Sequence, residues 1–276
     1  MVKYSRKIVQ LIFAILTNSN LKGFIEGKIF RGNSKSLCVP GLNCYSCPGA
    51  LGSCPIGSLQ AVFNSMKFNI SFYVSGMILL FATILGRFTC GWLCPFGLFQ
   101  ELIYKIPSPK KIINKHFKYI KYGVLLIFVI ILPIFLHNSV GIGNPTFCKY
   151  ICPAGTLEGG IPLLILNKAL RSSIGILFFS KFTILMIVII LSIIYHRFFC
   201  KVLCPLGAIY SLFNKYSFYQ LTIDENKCIH CNKCINICKM EVNIVQNPCD
   251  KECIRCGDCI TICPTNAIGS GFKFYK

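Results

Sequence analysis

Charge is scarce in this 276-residue sequence, and acidic charge scarcest: 14% of residues are charged and only nine are Asp or Glu. Soluble domains carry about 25% charged residues and about 45–50% apolar ones. With 54% hydrophobic residues and a mean hydropathy of +0.62, the chain is too apolar for one soluble core, which points to a membrane protein. Histidine is also sparse, at four. His116 falls in a basic loop, His230 in a cysteine run, and His137 and His196 at the ends of apolar segments. A lone imidazole there is more often an interfacial hydrogen-bonder than a haem or quinone ligand. No hydrolytic triad and no phosphate-binding loop can be assembled, which argues against hydrolases and nucleotide-dependent enzymes.

Two things are abundant. Lys and Arg number 29, giving a net charge of +20, and cysteine numbers 19. The basic residues mostly flank apolar segments, which suits membrane anchoring better than nucleic acid, so membrane lipid is an expected partner and nucleic acid is not. So many cysteines in a small secreted chain would mean disulfides, but this chain is neither small nor secretory in pattern. Several iron–sulfur clusters, each net negative on four thiolates, would offset part of the positive excess.

Three apolar runs have roughly the length of a membrane span, Ile70 to Leu85, Tyr122 to Leu136 and Ile174 to Tyr195. A weaker fourth runs from Ile8 to Leu16 behind Lys3, Arg6 and Lys7. It resembles the start of a signal peptide, but Thr17-Asn18-Ser19-Asn20 stands where a small-residue cleavage site would follow. We read it as an uncleaved anchor extended at both ends. The loop carrying Lys105, Lys110, Lys111, Lys115, Lys118 and Lys121 is expected in the cytoplasm, with the N-terminus and the tail. Residues from about 22 to 67 and from about 137 to 172 are then expected on the opposite side. Their own basic residues, among them Lys28, Arg31, Lys35 and Lys149, weaken the bias. From about Leu221 the composition changes, and Asp224, Glu225, Glu241, Asp250, Glu252 and Asp258 fall in the tail. The expected fold is a mainly α membrane protein, with about four transmembrane helices in a membrane domain over 1–215. A C-terminal α+β two-cluster ferredoxin domain follows over 221–276.

The tail gives the strongest signal. Cys228-x2-Cys231-x2-Cys234-x3-Cys238 is followed by Cys253-x2-Cys256-x2-Cys259-x3-Cys263-Pro264. In the bacterial ferredoxin pattern the fourth cysteine of each run ligates the other cluster. Cys228, Cys231, Cys234 and Cys263 are thus expected to hold one 4Fe–4S cluster, and Cys253, Cys256, Cys259 and Cys238 a second. Zinc sites pair separated C-x2-C knuckles and fit this spacing poorly. Cys249 falls outside it.

The remaining cysteines follow a repeat. Arg87-Phe88-Thr89-Cys90-Gly91-Trp92-Leu93-Cys94-Pro95-Phe96-Gly97 matches Arg197-Phe198-Phe199-Cys200-Lys201-Val202-Leu203-Cys204-Pro205-Leu206-Gly207. Cysteines at i and i+4 share a helix face, and the proline after the second suits the first turn of a new helix. Both copies close spans of the same direction, so Cys90, Cys94, Cys200 and Cys204 are expected to share one cluster at the cytoplasmic face, with Arg87 and Arg197 balancing its charge. Buried structural cysteines are the bland alternative. A third copy, Cys148 and Cys152 before Pro153 and Gly155, is expected on the opposite side together with Cys38, Cys44, Cys47 and Cys54. Cys148 and Cys152 with two of those four are expected to hold a further cluster; Cys44, Cys47 and Cys54 are favoured and Cys38 is the weakest. Disulfides in an extracytoplasmic loop are the competing reading there.

These motifs together resemble the membrane polyferredoxin family typified by the NapH-type quinol dehydrogenase subunit of periplasmic nitrate reductase, with the NosR-type proteins as relatives. The resemblance implies helical membrane anchors, 4Fe–4S clusters, and electron passage between a quinol pool and redox partners. The expected function is a transmembrane electron conduit between a cytoplasmic donor or acceptor and a quinone or extracytoplasmic flavoprotein, with quinone as a further candidate cofactor. The chain would then be an oxidoreductase component. A metal-handling or maturation reductase and a redox sensor are the alternatives. The region from about Leu221, expressed alone and reconstituted, is expected to bind two clusters, about eight irons; about four irons, or zinc instead, would refute the tail assignment.

Overall fold

The computed structural model describes residues 2–64, 72–136, 144–172 and 174–273. The start of the expected span at Ile70, and His137, lie outside them. The described chain is mostly helical, with one two-stranded sheet near its C-terminus. Helices of two kinds alternate. Long apolar helices end in a tight turn, and a short helix then carries a cysteine to a Cys-Pro step, from which a new helix departs.

The Cys-Pro step breaks the chain for a local reason. Cys94, Cys152 and Cys204 all take extended backbone angles, with ψ of 115°, 110° and 113°. Proline then fills the first helical position, where its missing N–H costs nothing. The helices that follow, Pro95–Ile103 and Pro205–Phe213, are fixed in direction by that step. In the turn before the first of these motifs, Gly86 has φ +54°, and a Cβ there would meet Asn214 Oδ1 at 2.7 Å, so the close approach requires glycine.

Lys115–Phe135 and Ile176–Ile194 are long and apolar enough to cross a membrane, by length and composition only. At 1.5 Å per residue, 19 to 21 residues reach about 30 Å, the thickness of a bilayer core. Both expose large apolar side chains, including Leu126, Phe135, Ile176, Phe179 and Ile190, and such faces need an apolar medium or partner. The other two expected spans are shorter as helices, Val2–Thr17 and Phe72–Ile84.

The tail pairs strands Tyr219–Ile223 and Ile268–Phe272 antiparallel, Tyr219 opposite Phe272, with short helices Lys233–Asn236 and Asp258–Ile262 between them. This α+β unit does not hang free. The Arg255 guanidinium is buried and donates to Leu85 O at 2.8 Å, to Asn214 O at 2.7 Å and to Ser217 Oγ at 2.7 Å. The Trp92 indole donates to Arg255 O at 3.0 Å. Asn214 donates to the carbonyls of Asp250 and Cys253. A Cβ on Gly91 would stand 2.3 Å from Ile254 O, so only glycine allows the two segments to touch.

Charge closes the contact. Glu252 takes ion pairs from Arg87 and Lys121, both without exposed side-chain surface. Glu241 is paired at 2.8 Å with both Lys201 and Lys118. Burial pushes the Glu252 carboxyl up, but Arg87 and Lys121 outweigh it and hold it down at about 2. The pair is therefore intact from neutral pH down to about 4, the ordinary glutamate range, and is lost progressively as pH falls towards 2. Glu252→Gln leaves two buried cations on a neutral amide, a change worth about 3–5 kcal/mol for a buried pair. The expected outcome is a lower melting temperature with faster amide exchange across 250–256; unchanged exchange there would show that Glu252 does not hold the tail.

Candidate metal centres

In the tail, Cys228, Cys231, Cys234 and Cys263 line one cavity with Ile223, Val245 and Ile268. Cys231 is exposed at its rim. The second group brings Cys238 to Cys253, Cys256 and Cys259. Cys259 lies within electrostatic reach of Cys256, Cys253 and Cys238, and Cys253 within reach of Cys256 and Cys238. Backbone N–H groups point at the crossing sulfurs, Ala267 N to Cys263 Sγ at 3.3 Å and Val242 N to Cys238 Sγ at 3.5 Å. The same loops carry the docking contacts, so the Cys253 group is the one nearest the rest of the molecule.

The two matching repeats meet. Cys204 lies within reach of Cys200, Cys90 and Cys94, and all four are buried. Arg87 and Arg197 are fully buried and act through the backbone. Arg197 Nη1 donates to Cys90 O at 2.5 Å, and Arg87 Nη2 to Cys200 O at 3.2 Å, so each arginine grips the cysteine of the opposite repeat. Arg197 also pairs with Glu101, which takes two bonds from Arg6 at 2.8 and 3.0 Å. Burial pushes the Glu101 carboxyl up, and Arg197 and Arg6 hold it down at about 2. Gln100, with no exposed surface, donates to Cys200 Sγ at 3.1 Å.

The third copy meets part of the N-terminal loop. Cys152 lies within reach of Cys148, Cys44 and Cys54. A Cβ on Gly57 would stand 3.8 Å from Cys148 Sγ, and one on Gly155 would stand 3.8 Å from Cys44 Sγ. The gathered set is therefore Cys44, Cys54, Cys148 and Cys152. Cys38 is turned instead to Ser53 Oγ at 3.5 Å. Cys47 sits beside Cys44, Lys35 and Glu158, with backbone donors Gly49 and Ala50 on its sulfur. Cys249 faces Leu221 O. None of the 19 cysteines is paired in a disulfide.

Three polar side chains also face this group. Lys181, inside the apolar helix Ile176–Ile194, donates to Cys148 O at 3.1 Å. Glu158 accepts from Cys44 N at 2.7 Å. Gln60 donates to Cys148 Sγ at 3.3 Å. One signal was available, because Cys54-Pro55-Ile56-Gly57 is a fourth Cys-Pro-x-Gly copy. It lacks the cysteine four residues earlier, where Ala50 stands, and Cys44 supplies the missing thiol from further back.

The N-terminal loop also departs from the expected topology. It is not confined to the side opposite Cys94. A Cβ on Gly41 would stand 2.9 Å from Cys94 Cα, the Leu42 N–H donates to the Cys94 sulfur, and Tyr210 holds Pro40 O at 2.8 Å. Leu42 and Cys44 are two residues apart, at most about 7 Å of chain. The two quartets are thus neighbours.

The donor sets fit 4Fe–4S clusters. Burial raises the Cys44, Cys54, Cys148 and Cys152 thiols, as it does Cys90, Cys94 and Cys204. Left to themselves such groups stay protonated, and a neutral thiol is a weak acceptor. Yet Gln60, Gly207 and Leu42 aim N–H donors at the sulfurs of Cys148, Cys204 and Cys94, as suits metal-bound thiolates, and Gln100 aims one at Cys200. Among the described residues no three Cys, His, Asp or Glu side chains stand close enough to share a single metal ion, and thiols around a multi-iron core stand further apart than that.

Comparison with known proteins agrees. A 4Fe-4S binding domain family model matches three times, over 72–116, 122–168 and 177–220, and a second 4Fe-4S binding domain model matches 250–269. Two uncharacterized proteins of Methanocaldococcus jannaschii are 30% and 31% identical, over 61% and 72% of this chain. The chain spans 57% of the first and 78% of the second. The ferredoxin-type protein NapH of Haemophilus influenzae is 27% identical over 63% of this chain and 55% of its own length. No solved structure matches.

Serine at Cys44, Cys54, Cys148 or Cys152 is expected to abolish one and the same paramagnetic signal in the anaerobically purified protein. Cys38→Ser, Cys47→Ser and Cys249→Ser are expected to spare it. Loss of that signal in Cys47→Ser with retention in Cys44→Ser would overturn the grouping.

Proposed function

The chain belongs to the NapH-like polyferredoxin family, and from that premise we propose a membrane-bound electron-transfer protein. It works between a cytoplasmic donor and a quinone or an extracytoplasmic redox flavoprotein. Bound 4Fe–4S clusters supply one-electron relays. The observation that carries the reading is the contiguity of the thiol groups. The exposed Cys231 group shares its fold with the Cys253 group, whose loops are bolted to the Cys90 repeat. The Leu42–Cys44 segment joins that repeat to the Cys148 group. A storage or sensing role needs no such line.

In this reading residues 1–215 form the membrane domain and 221–276 a cytoplasmic ferredoxin domain, with the N-terminus on the same side. The apolar outer faces of Lys115–Phe135 and Ile176–Ile194 support membrane insertion, and the lysines from Lys105 to Lys121 support the orientation. Arg87, Lys121 and Glu252 fix the soluble unit against the membrane domain, so its position does not depend on chance encounter. Arg197, Glu101 and Arg6 brace the first helix against the inner repeat.

The purified protein is expected to contain about sixteen irons and sixteen acid-labile sulfides per chain, four per cluster. Incorporated into liposomes with trapped ferricyanide, it is expected to pass electrons from external dithionite to the interior, and Cys152→Ser to stop this. Interior reduction no faster than in empty liposomes would refute the conduit and leave a one-sided reductase.

A further inference from the structure

Gln60 and Gln100 occupy the same place in their repeats, six residues after Cys54 and Cys94. Both are fully buried, and both make the same three bonds. The Gln60 amide accepts from Phe147 N at 3.0 Å and donates to Ile56 O at 3.3 Å and Cys148 Sγ at 3.3 Å. The Gln100 amide accepts from Phe199 N at 3.0 Å and donates to Phe96 O at 3.4 Å and Cys200 Sγ at 3.1 Å. In each case the N–H that donates to the amide oxygen belongs to the residue just before the cysteine.

This arrangement fixes which way the amide faces. The oxygen has to meet the backbone N–H of Phe147 or Phe199, so the NH2 group has to meet the sulfur. A side chain needed only for packing would not place a donor on the same cysteine of two different quartets. Resting on the cluster reading above, we propose that Gln60 and Gln100 are paired positioning residues, each setting the reduction potential of one cluster through an N–H to sulfur bond. Gln60 acts on the Cys44, Cys54, Cys148 and Cys152 quartet, and Gln100 on the Cys90, Cys94, Cys200 and Cys204 quartet.

The sign follows from charge. Reduction adds one electron to an already negative, buried group, and a donor on the thiolate sulfur stabilises that state more than the oxidised one. Hydrogen bonds to the sulfurs are among the factors that set cluster potentials. Removing the donor lowers the potential of that quartet alone. The two quartets are not identical beyond their glutamines. The residue six places after Cys152 is Glu158 and after Cys204 is Tyr210, so the same device works against different surroundings and two neighbouring sites can be given different potentials.

The test separates donation from shape. In Gln100→Glu a carboxylate oxygen still accepts from Phe199 N, while the donor to Cys200 is gone; Gln60→Glu does the same at Phe147 and Cys148. Full-length protein, purified anaerobically with its clusters, is titrated by potential with the paramagnetic signal of each quartet followed separately. Each variant is expected to keep the wild-type iron content. The reduced-to-oxidised ratio of its own quartet is expected to fall about tenfold at fixed potential, equivalent to about 59 mV for one electron, with the other quartet unmoved. Gln100→Met and Gln60→Met remove the donor without adding charge and are expected to lower the same potentials; a shift in the Glu variants alone, which the added carboxylate charge produces by itself, would overturn the proposal. Unshifted potentials with iron retained in the Glu variants would overturn the proposal, and so would loss of iron from them, since the residue would then be holding the cluster rather than tuning it. Wild-type protein with only about eight irons would instead refute the cluster reading itself.

Discussion

Two guanidinium groups with no exposed surface, Arg87 and Arg197, organise the molecule. A buried charge has to be paired and its remaining donors satisfied. Each arginine meets a carboxylate from a different part of the chain, Glu252 in the tail and Glu101 in the helix Pro95–Ile103. Each spends another donor on the cysteine carbonyl of the opposite repeat. The registry of the two cysteine pairs, the seat of the C-terminal unit and the position of the first helix through Arg6 are therefore one problem with one solution. None of these parts can shift far without stranding a charge.

The repeat explains why the second quartet looks different in sequence but not in space. Three copies place a cysteine four residues before the Cys-Pro step, at Cys90, Cys148 and Cys200, whereas the first copy has Ala50 there, with no exposed surface. The missing thiol comes from Cys44, and the loop has to turn inward to deliver it. That turn brings Gly41 and Leu42 against Cys94. The loop that delivers Cys44 is thus also the segment that brings the two quartets together.

The legible parts of the sequence are those where the ligands are local. The two tail runs and the paired repeats could be grouped from spacing alone, because cluster thiols within a few residues of one another have few alternative arrangements. The outer set was only half legible. Cys148 and Cys152 stand in the motif, but choosing Cys44 and Cys54 over Cys38 and Cys47 depends on how a loop folds back over more than ninety residues. Lys181 was invisible because a single charge in an apolar helix has no periodicity. The reach of the N-terminal loop was hidden for a related reason. A loop assigned by charge to one face of a membrane can still insert its tip among the helices, as Pro40 to Cys44 does.

Charge accounting gives the deepest link between composition and chemistry. Glu101 serves Arg6 and Arg197, Glu252 serves Arg87 and Lys121, and Glu241 serves Lys118 and Lys201. At each of these sites two cations share one carboxylate, which leaves a positive excess among buried groups. Lys181 adds another beside Cys148, in a helix where an ionisable residue is costly. Neutral thiols offer nothing to balance such an excess. Thiolates on iron–sulfur cores do, since each quartet so occupied is net negative. The scarcity of acidic residues and the abundance of cysteine are then the same fact. Part of the negative charge this fold requires is carried by its cofactors, so loss of the clusters would strand the basic side chains gathered around them.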